Sequence, residues 1–304
     1  MLVILILALI SVLVLAWAHE WRMELKLTTN FRRMNQSRRL AEAGVYYAIG
    51  KLVAAKVAET KGNFSGQVVA PENLWRGDQS PHVLEFPEGM AEISIAEESG
   101  KINLNRATGA VLRSLFTVLG IAEPQLSIMV DSIEDWRSRG DRPHPYGAKS
   151  DYYLGLEPPY VAKNGKFEVV EELAWVRGFE ASPLLPRLGN WLTVFGIALN
   201  VNTAPLEVLE AMGFAPEIAS TIILTRQTTP FKDFQEIAQL SGKPLFDQTI
   251  PLSFQTSQFF TITSRGQVRN QGHYTIKAII RLDDKRDNLW EIISWFDGFP
   301  NDLE

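Results

Sequence analysis

The first eighteen residues constrain this chain most, because none of them carries a charge. They read MLVILILALISVLVLAWA, with Ser11 as the one polar residue. As an α-helix they would span about 27 Å, close to the ~30 Å hydrocarbon core of a bilayer. Trp17 and Trp21 lie where an interfacial aromatic belt is expected. No basic segment precedes this run and no typical cleavage site follows it, so we predict a retained membrane helix rather than a signal peptide.

The helical pattern continues beyond this span. Residues 19–59 contain no proline, and their first glycine is Gly44. A stripe of small and apolar residues recurs every three or four positions, and it consists of Ala41, Val45, Ala48, Leu52 and Ala55. We therefore predict one helix from residue 1 to about residue 58, with the stripe packed against the chain's own fold. A spanning helix that runs directly into a packed helix is the plan of type IV pilin-like subunits.

Composition excludes several classes of function. The 304 residues are 46% apolar and 21% charged, which is typical of globular proteins. The absence of cysteine rules out disulfides, thiolate metal sites and cysteine nucleophiles. Residues 19–60 hold eight Lys and Arg against four Glu, whereas the whole chain has a net charge of −5. The remainder is therefore acidic, which disfavours nucleic-acid binding. Taken alone, the positive charge after the span would place the body in the cytoplasm.

Alternating patterns predict β-structure at both ends of the body. The predicted strands cover residues 83–86, 91–96, 258–263, 274–282 and 289–295. Polar turns are predicted over residues 264–272 and 283–288, the second being a solvated hairpin tip. Between these ends, residues 101–252 have a helical pattern.

The helical region contains an internal repeat. Ile-Asn-Leu-Asn-Arg-Ala at residues 102–107 corresponds to Leu-Asn-Val-Asn-Thr-Ala at residues 199–204. An apolar helix, a glycine turn and a second helix are predicted after each copy. Asn105 and Asn202, or the residue after each, are candidate N-caps.

The repeated units resemble helix-hairpin-helix modules, which contact phosphate through a Gly-hydrophobic-Gly turn. Gly120 and Gly213 would begin the two turns, with left-handed backbone geometry. The second glycine is replaced by Ala122 and Ala215, and a glutamate, Glu123 or Glu217, follows closely in each unit. We therefore expect a structural use of these units and assign no nucleic-acid-binding residue.

Six motifs in order resemble the K subunit of the type II secretion system, a minor pseudopilin family also called general secretion pathway protein K. They are SGKINLN at residues 99–105, EDW at 134–136, GAKSDYY at 147–153, PY at 159–160, ELAWVRG at 172–178 and NVNTA at 200–204. The resemblance extends over essentially the whole chain.

The resemblance implies an α+β fold, in which a pilin-like long N-terminal helix and an antiparallel sheet are interrupted by a large all-α insert with helix-hairpin-helix-like repeats. The expected division is a transmembrane helix (1–18), an amphipathic stalk helix (19–60), a first β region (61–100), the insert (101–252) and a second β region (253–304).

The resemblance also implies a role at the tip of the type II secretion pseudopilus, initiating its assembly and supporting protein export across the outer membrane. The implied partners are the minor pseudopilins I and J, the major pseudopilin below the tip, and prepilin peptidase, which removes a leader. The chain shows no such leader and resembles the mature form or a truncated gene model. The resemblance implies a body in the periplasm, on a single inner-membrane span. This overrides the cytoplasmic placement that the charge alone would give, because the cytoplasmic positive charge would come from the leader. The alternative is a minor pilin of a type IV pilus or competence system with a DNA-contacting insert.

Leu5 supports the tip position. Pilin-like subunits hold a glutamate at the fifth mature position, which pairs with a neighbour's terminal amine, and an unpaired carboxylate there would cost several kcal/mol. A subunit with Leu5 cannot pair with one already laid down, but it can be laid down first. The bulk of the insert would also block a subunit above it.

The resemblance implies calcium in the insert. Calcium binds six to eight oxygens, often from loops rich in acidic residues. Asp135, Asp141 and Asp151 lie around such a loop and are the candidate ligands. Arg137, Arg139 and Lys149 depart from this pattern, because they stand where neutral or acidic residues are expected. The competing interpretation is a solvated loop tied by Asp–Arg pairs.

No catalytic motif is present. The sequence has no G-x-S-x-G, H-E-x-x-H, phosphate loop or G-x-G-x-x-G. The adjacent acids Glu97-Glu98 and Glu171-Glu172 point in different directions on regular structure, and we expect them to be surface charge. We predict a non-enzymatic assembly protein with no catalytic residues.

Overall fold

The computed structural model describes residues 2–65, 75, 77–241, 250–268, 271–283 and 289–298. Its first element is α1, a single helix over Leu2–Ser65, about 96 Å long at ~1.5 Å per residue. The prediction of one unbroken helix from the apolar span into the stalk is confirmed.

Five antiparallel strands form one sheet, called the head sheet: β1 (His82–Phe86), β2 (Gly89–Glu97), β7 (Phe259–Val268), β8 (Gln271–Leu282) and β9 (Trp290–Asp297). They are hydrogen-bonded in the order β1-β2-β7-β8-β9. All five overlap predicted strands. Glu97 at the end of β2 lies opposite Phe260 near the start of β7. The chain therefore leaves the sheet and re-enters it on adjacent strands.

The second half of α1 packs closely on one face of this sheet. A Cβ on Gly44 would overlap the Ser264 hydroxyl, and a Cβ on Gly266 would overlap main-chain atoms of Ser37 and Ala41. Glycine on each side of the contact thus permits an approach that larger residues would prevent.

The turn predicted over residues 264–272 is wrong. β7 continues to Val268 and β8 begins at Gln271. Serine is common in turns, which is why the sequence pattern assigns Ser264 to one. It is fully buried beneath α1 instead, at a contact that requires a small side chain. Of the predicted hairpin tip at residues 283–288, residues 284–288 lie outside the described residues.

The region between β2 and β7 has helices as its main regular elements and has its own hydrophobic core, drawn from residues 102–250. Its helices are α2 (Gly109–Val118), α3 (Gln125–Arg137), α4 (Ser150–Leu154), α5 (Leu206–Ala211), α6 (Pro216–Thr228) and α7 (Phe234–Ser241). Short parallel pairs join β3 (Ile102–Asn103) to β4 (Leu192–Thr193) and β5 (Leu199–Asn200) to β6 (Leu252–Ser253). The prediction that this region is all-α is therefore wrong, because backbone pairing between distant segments is not visible in the local sequence pattern. A second core lies between α1 and the head sheet.

The repeat predicted from sequence has matching hydrogen bonds in both copies. The Asn105 amide donates to the Phe167 carbonyl at 2.9 Å and accepts from the Phe167 N–H at 2.8 Å. The Asn202 amide exchanges the same two bonds with Phe231, both at 2.8 Å. Asn105 and Asn202 therefore pin a distant segment and do not cap the following helix, so the N-cap prediction is wrong. Thr108 caps α2, through its side chain to Val111.

In each copy of the repeat, an arginine side chain donates to main-chain carbonyls of the repeated motif. Arg137 at the end of α3 donates to two carbonyls, and Arg226 in α6 donates to the two carbonyls at the corresponding positions of the second copy. The acceptors are Leu104, Ala107, Val201 and Ala204. The turn glycines Gly120 and Gly213 have φ of +84° and +95°, so their predicted left-handed geometry is confirmed.

Candidate functional site

The first half of α1 is exposed to solvent, and its first eighteen residues carry no charge. Leu5 is 68% exposed, and Leu13, Leu27 and Phe31 are at least 60% exposed. Among the described residues, α1 is the one helix long and apolar enough to cross a membrane. The Ser11 hydroxyl donates within the helix, to the Leu7 carbonyl at 2.8 Å. A continuous apolar surface of this size requires lipid or another protein to cover it.

The predicted stripe in the second half of α1 is covered by the chain's own sheet. Ala41, Val45 and Ala48 are fully buried, Leu52 is buried and Ala55 is half-buried. The first four belong to the hydrophobic core between α1 and the sheet. Leu5, in contrast, lies outside any core of the described structure.

The acidic pair Glu97-Glu98 is buried, so its assignment to surface charge is wrong. Each residue is only 3% exposed. The Glu98 carboxylate accepts hydrogen bonds from Lys101 Nζ at 2.5 Å, from Thr261 Oγ1 at 2.7 Å and from the Thr193 hydroxyl. Burial lowers the pKa of Lys101, because desolvation outweighs its attraction to Glu98.

Glu97 also links the head sheet to the helical region through hydrogen bonds. Its Oε1 accepts from Asn200 Nδ2 and from the Ser257 N–H, each at 2.9 Å, and from the Ser99 hydroxyl. The two carboxylates thus hold together the place where the chain leaves the sheet and the place where it returns. Sequence could not reveal this burial, because most of the donors are more than ninety positions away.

The second acidic pair also has specific partners. Glu171 Oε1 lies 2.9 Å from Lys277 Nζ and so links the helical region to β8. Glu172 Oε1 lies 2.8 Å from Lys163 Nζ and accepts from the Glu168 N–H at 2.7 Å. These contacts fix the short helix at Val170–Trp175 beside the sheet.

The loop after α3 is pinned by Asp135, which is fully buried. Its carboxylate accepts the His144 N–H at 3.2 and 3.0 Å, and His144 Nδ1 lies 2.7 Å from Oδ1. The Tyr146 N–H donates to Asp131 Oδ2 at 3.0 Å. A Cβ on Gly147 would overlap the Asp135 carboxylate. Glycine is therefore required where the loop crosses this carboxylate.

The His144 imidazole, in this loop, has a pKa above its ordinary value. Its hydrogen bond to Asp135 raises the pKa of the imidazole, against some desolvation, and the charges of Glu134 and Asp131 add to the rise. The imidazolium form is therefore stabilised by the fold.

The structure does not bring the three predicted calcium ligands together. Asp135 is buried and bound to His144, whereas Asp141 and Asp151 are exposed. Among the described residues, no three His, Asp or Glu side chains lie close enough to hold a metal ion. The predicted donor set does not fit calcium, which prefers six or more oxygens around one point.

The helical region and the adjoining strands match known families. Two models described as type II secretion system (T2SS), protein K, match residues 93–196 and 199–254, together more than half of the chain. Type II secretion system protein K of Pseudomonas aeruginosa is 31% identical over 189 residues, 56% of this chain and 55% of that protein. The Aeromonas hydrophila protein of the same name is 27% identical over 151 residues, 46% of this chain and 44% of that protein. The matched stretch thus spans about half the length of these curated relatives.

The fold also has a solved counterpart. A chain in the crystal structure of the GspK-GspI-GspJ complex from the enterotoxigenic Escherichia coli type 2 secretion system superposes with a TM-score of 0.60 at 18% identity. The superposition covers 87% of this chain and 99% of that chain. From the family models and these relatives, the chain belongs to the type II secretion system protein K family.

Proposed function

We propose that the protein is a minor pseudopilin at the tip of a type II secretion pseudopilus, where it initiates assembly and supports protein export. The observation that carries the proposal is the division of α1 into an exposed apolar half and a half packed into a head. Such a helix anchors the subunit in the inner membrane before assembly and packs among other helices afterwards. The role is non-enzymatic, and the body lies in the periplasm.

The position of the helical region supports the tip. Near residue 40 of α1, the sheet contact is made by Gly89 and Gly266. Near Leu52 and Ala55, a cavity is lined by Glu97 and by the start of β7. The helical region therefore joins the end of the head that is far from the exposed half of α1. We propose that residues 101–252 form an insert domain there, with the two units as helix-hairpin-helix-like repeats, and that it blocks any subunit above.

The partners are proposed to be the minor pseudopilins I and J and the major pseudopilin, with prepilin peptidase processing the chain. The GspK chain of the related complex is solved together with GspI and GspJ. Co-expression of the full chain with its own I and J subunits, followed by affinity purification in detergent, tests this directly. We expect I and J to co-purify. If I and J do not co-purify and the chain instead binds DNA with an affinity that falls as the salt concentration rises, a DNA-contacting minor pilin is favoured.

The absence of a carboxylate from residues 1–18 gives a second test. A subunit laid down first needs no acid to pair with an earlier subunit. We therefore expect the Leu5→Glu variant still to form the complex with I and J. The Leu5→Gln variant is the matched uncharged control. Loss of the complex in Leu5→Glu alone would contradict the order of assembly proposed here.

A further inference from the structure

Lys149 lies in a cage of oxygen atoms at the end of α3. Its Nζ is 2.6 Å from the Asp135 carbonyl, 2.8 Å from the Ser138 carbonyl, 3.1 Å from Ser138 Oγ and 3.3 Å from Asn164 Oδ1. The residue is only 6% exposed. The ammonium group thus has four oxygen neighbours from two separate chain segments and is nearly removed from water.

The cage is built to hold a cation. The last carbonyls of a helix have no partner within the helix, and they lie at the negative end of its dipole. Asp135 and Ser138 supply carbonyls at this end, because α3 ends at Arg137. The Asp135 carbonyl also accepts the Ser138 N–H at 3.3 Å, and the Lys149 ammonium is its second donor. Main-chain carbonyls, hydroxyls and side-chain amides are also the kinds of oxygen that calcium uses. A cation here joins the end of α3 to the segment at Asn164.

The charge of the cage matches an ammonium group better than a calcium ion. All four oxygens are neutral, and among the described residues no carboxylate forms a salt bridge with Lys149. The Asp135 side chain is engaged by His144 instead. Calcium sites gain their affinity from carboxylates at 2.3–2.6 Å. A dication in this cage would have no anionic ligand and would meet the Lys149 charge.

We propose that the Lys149 ammonium is the resident cation of this loop and takes the place of the calcium that the family resemblance implies. The loop then keeps its fold without any metal ion. In this proposal the exposed residues Asp141 and Asp151 do not act as calcium ligands. This inference does not depend on the tip position, so it can fail while the proposed function stands.

Thermal unfolding of the full chain in detergent tests the inference on the natural protein. We expect the same melting temperature in millimolar calcium chloride and in millimolar EDTA, and no calcium binding by titration calorimetry. A melting temperature that rises with calcium, or a calorimetric calcium site, would overturn the proposal.

Two substitutions at the cage sharpen the test. Lys149→Met removes the cation and keeps the length of the side chain, so the melting temperature should fall in both buffers. Lys149→Glu replaces the cation with a carboxylate among the same oxygens. This variant should gain calcium binding with a dissociation constant below about 1 mM and should be stabilised by calcium alone.

Lys166→Glu is the matched control, because Lys166 is exposed and lies outside the cage. It should change neither the melting temperature nor its response to calcium. If Lys149→Met melts at the natural temperature, the ammonium does not hold the loop and the proposal is wrong. If Lys149→Glu does not fold, the calcium and EDTA comparison on the natural chain still decides between the two cations.

Discussion

The two halves of α1 belong to one helix but have opposite surroundings. Residues up to Met34 expose most of their apolar side chains, whereas Ala41, Val45 and Ala48 are fully buried by the head sheet. The first eighteen residues carry no charge on any side of the helix, whereas the second half has charged residues beside its buried stripe. At its contact with the sheet, the second half combines these small residues with the larger, buried Leu52. The buried half forms part of the head, and the exposed half is available to lipid or to other subunits.

The largest expected effect comes from placing a charge in each half. Val45→Asp puts an unpaired carboxylate in the head core and should lower the free energy of unfolding by at least about 3 kcal/mol. Leu27→Asp is the matched change at an exposed position and should alter it by less than about 0.5 kcal/mol. Urea unfolding of the full chain in detergent, followed by tryptophan fluorescence, measures both. Equal losses would mean that α1 packs along its whole length.

Alanine substitutions of two glycines in the buried half are expected to change the free energy of unfolding by smaller amounts, in opposite directions. A Cβ on Gly44 would meet Ser264, whereas a Cβ on Gly50 has no atom within 4 Å. Gly44→Ala should destabilise the head by about 1–3 kcal/mol through overpacking. Gly50→Ala should stabilise it by about 0.5–1 kcal/mol through helix propensity. The same unfolding assay applies, and a stabilised Gly44→Ala variant would show that the helix does not approach the sheet so closely.

The smallest expected effect lies outside α1, in the loop pinned by Asp135. Because the pKa of His144 is raised in the folded protein, its contribution to stability is complete below the ordinary histidine pKa, about 6.5. That contribution is lost as the pH rises through the higher folded-state pKa. The effect is small, since the side chain is 46% exposed and screened by solvent. His144→Ala should therefore flatten the fall in melting temperature as the pH rises above about 6.5, and an unchanged slope would contradict this assignment.

Local features of the sequence predicted the helix and the sheet well. The lack of proline in residues 19–59 and the apolar start predicted α1, and alternation of apolar and polar residues predicted β1 and β2. The glycine turns of the repeat were also predictable, because a left-handed residue after a short apolar helix favours glycine.

Features that depend on distant partners were not predictable. Glu97 and Glu98 read as surface charge because their donors, such as Asn200 and Thr261, are more than one hundred positions away. Asn105 read as an N-cap because its partner, Phe167, is equally invisible in the local sequence. Lys149 was recognised as a departure from a calcium pattern, but only the fold shows that its ammonium lies among the oxygens.

Single-cysteine labelling of α1 tests the central claim most directly, because the chain has no cysteine of its own. We would place one cysteine at Leu27, Phe31 or Val45 and measure its reaction with a maleimide, before and after assembly with the I and J subunits. The account predicts that the first two react readily in the free protein and become protected on assembly, while the cysteine at Val45 is unreactive in both. Cysteines at Leu27 and Phe31 that stay equally reactive after assembly would contradict it.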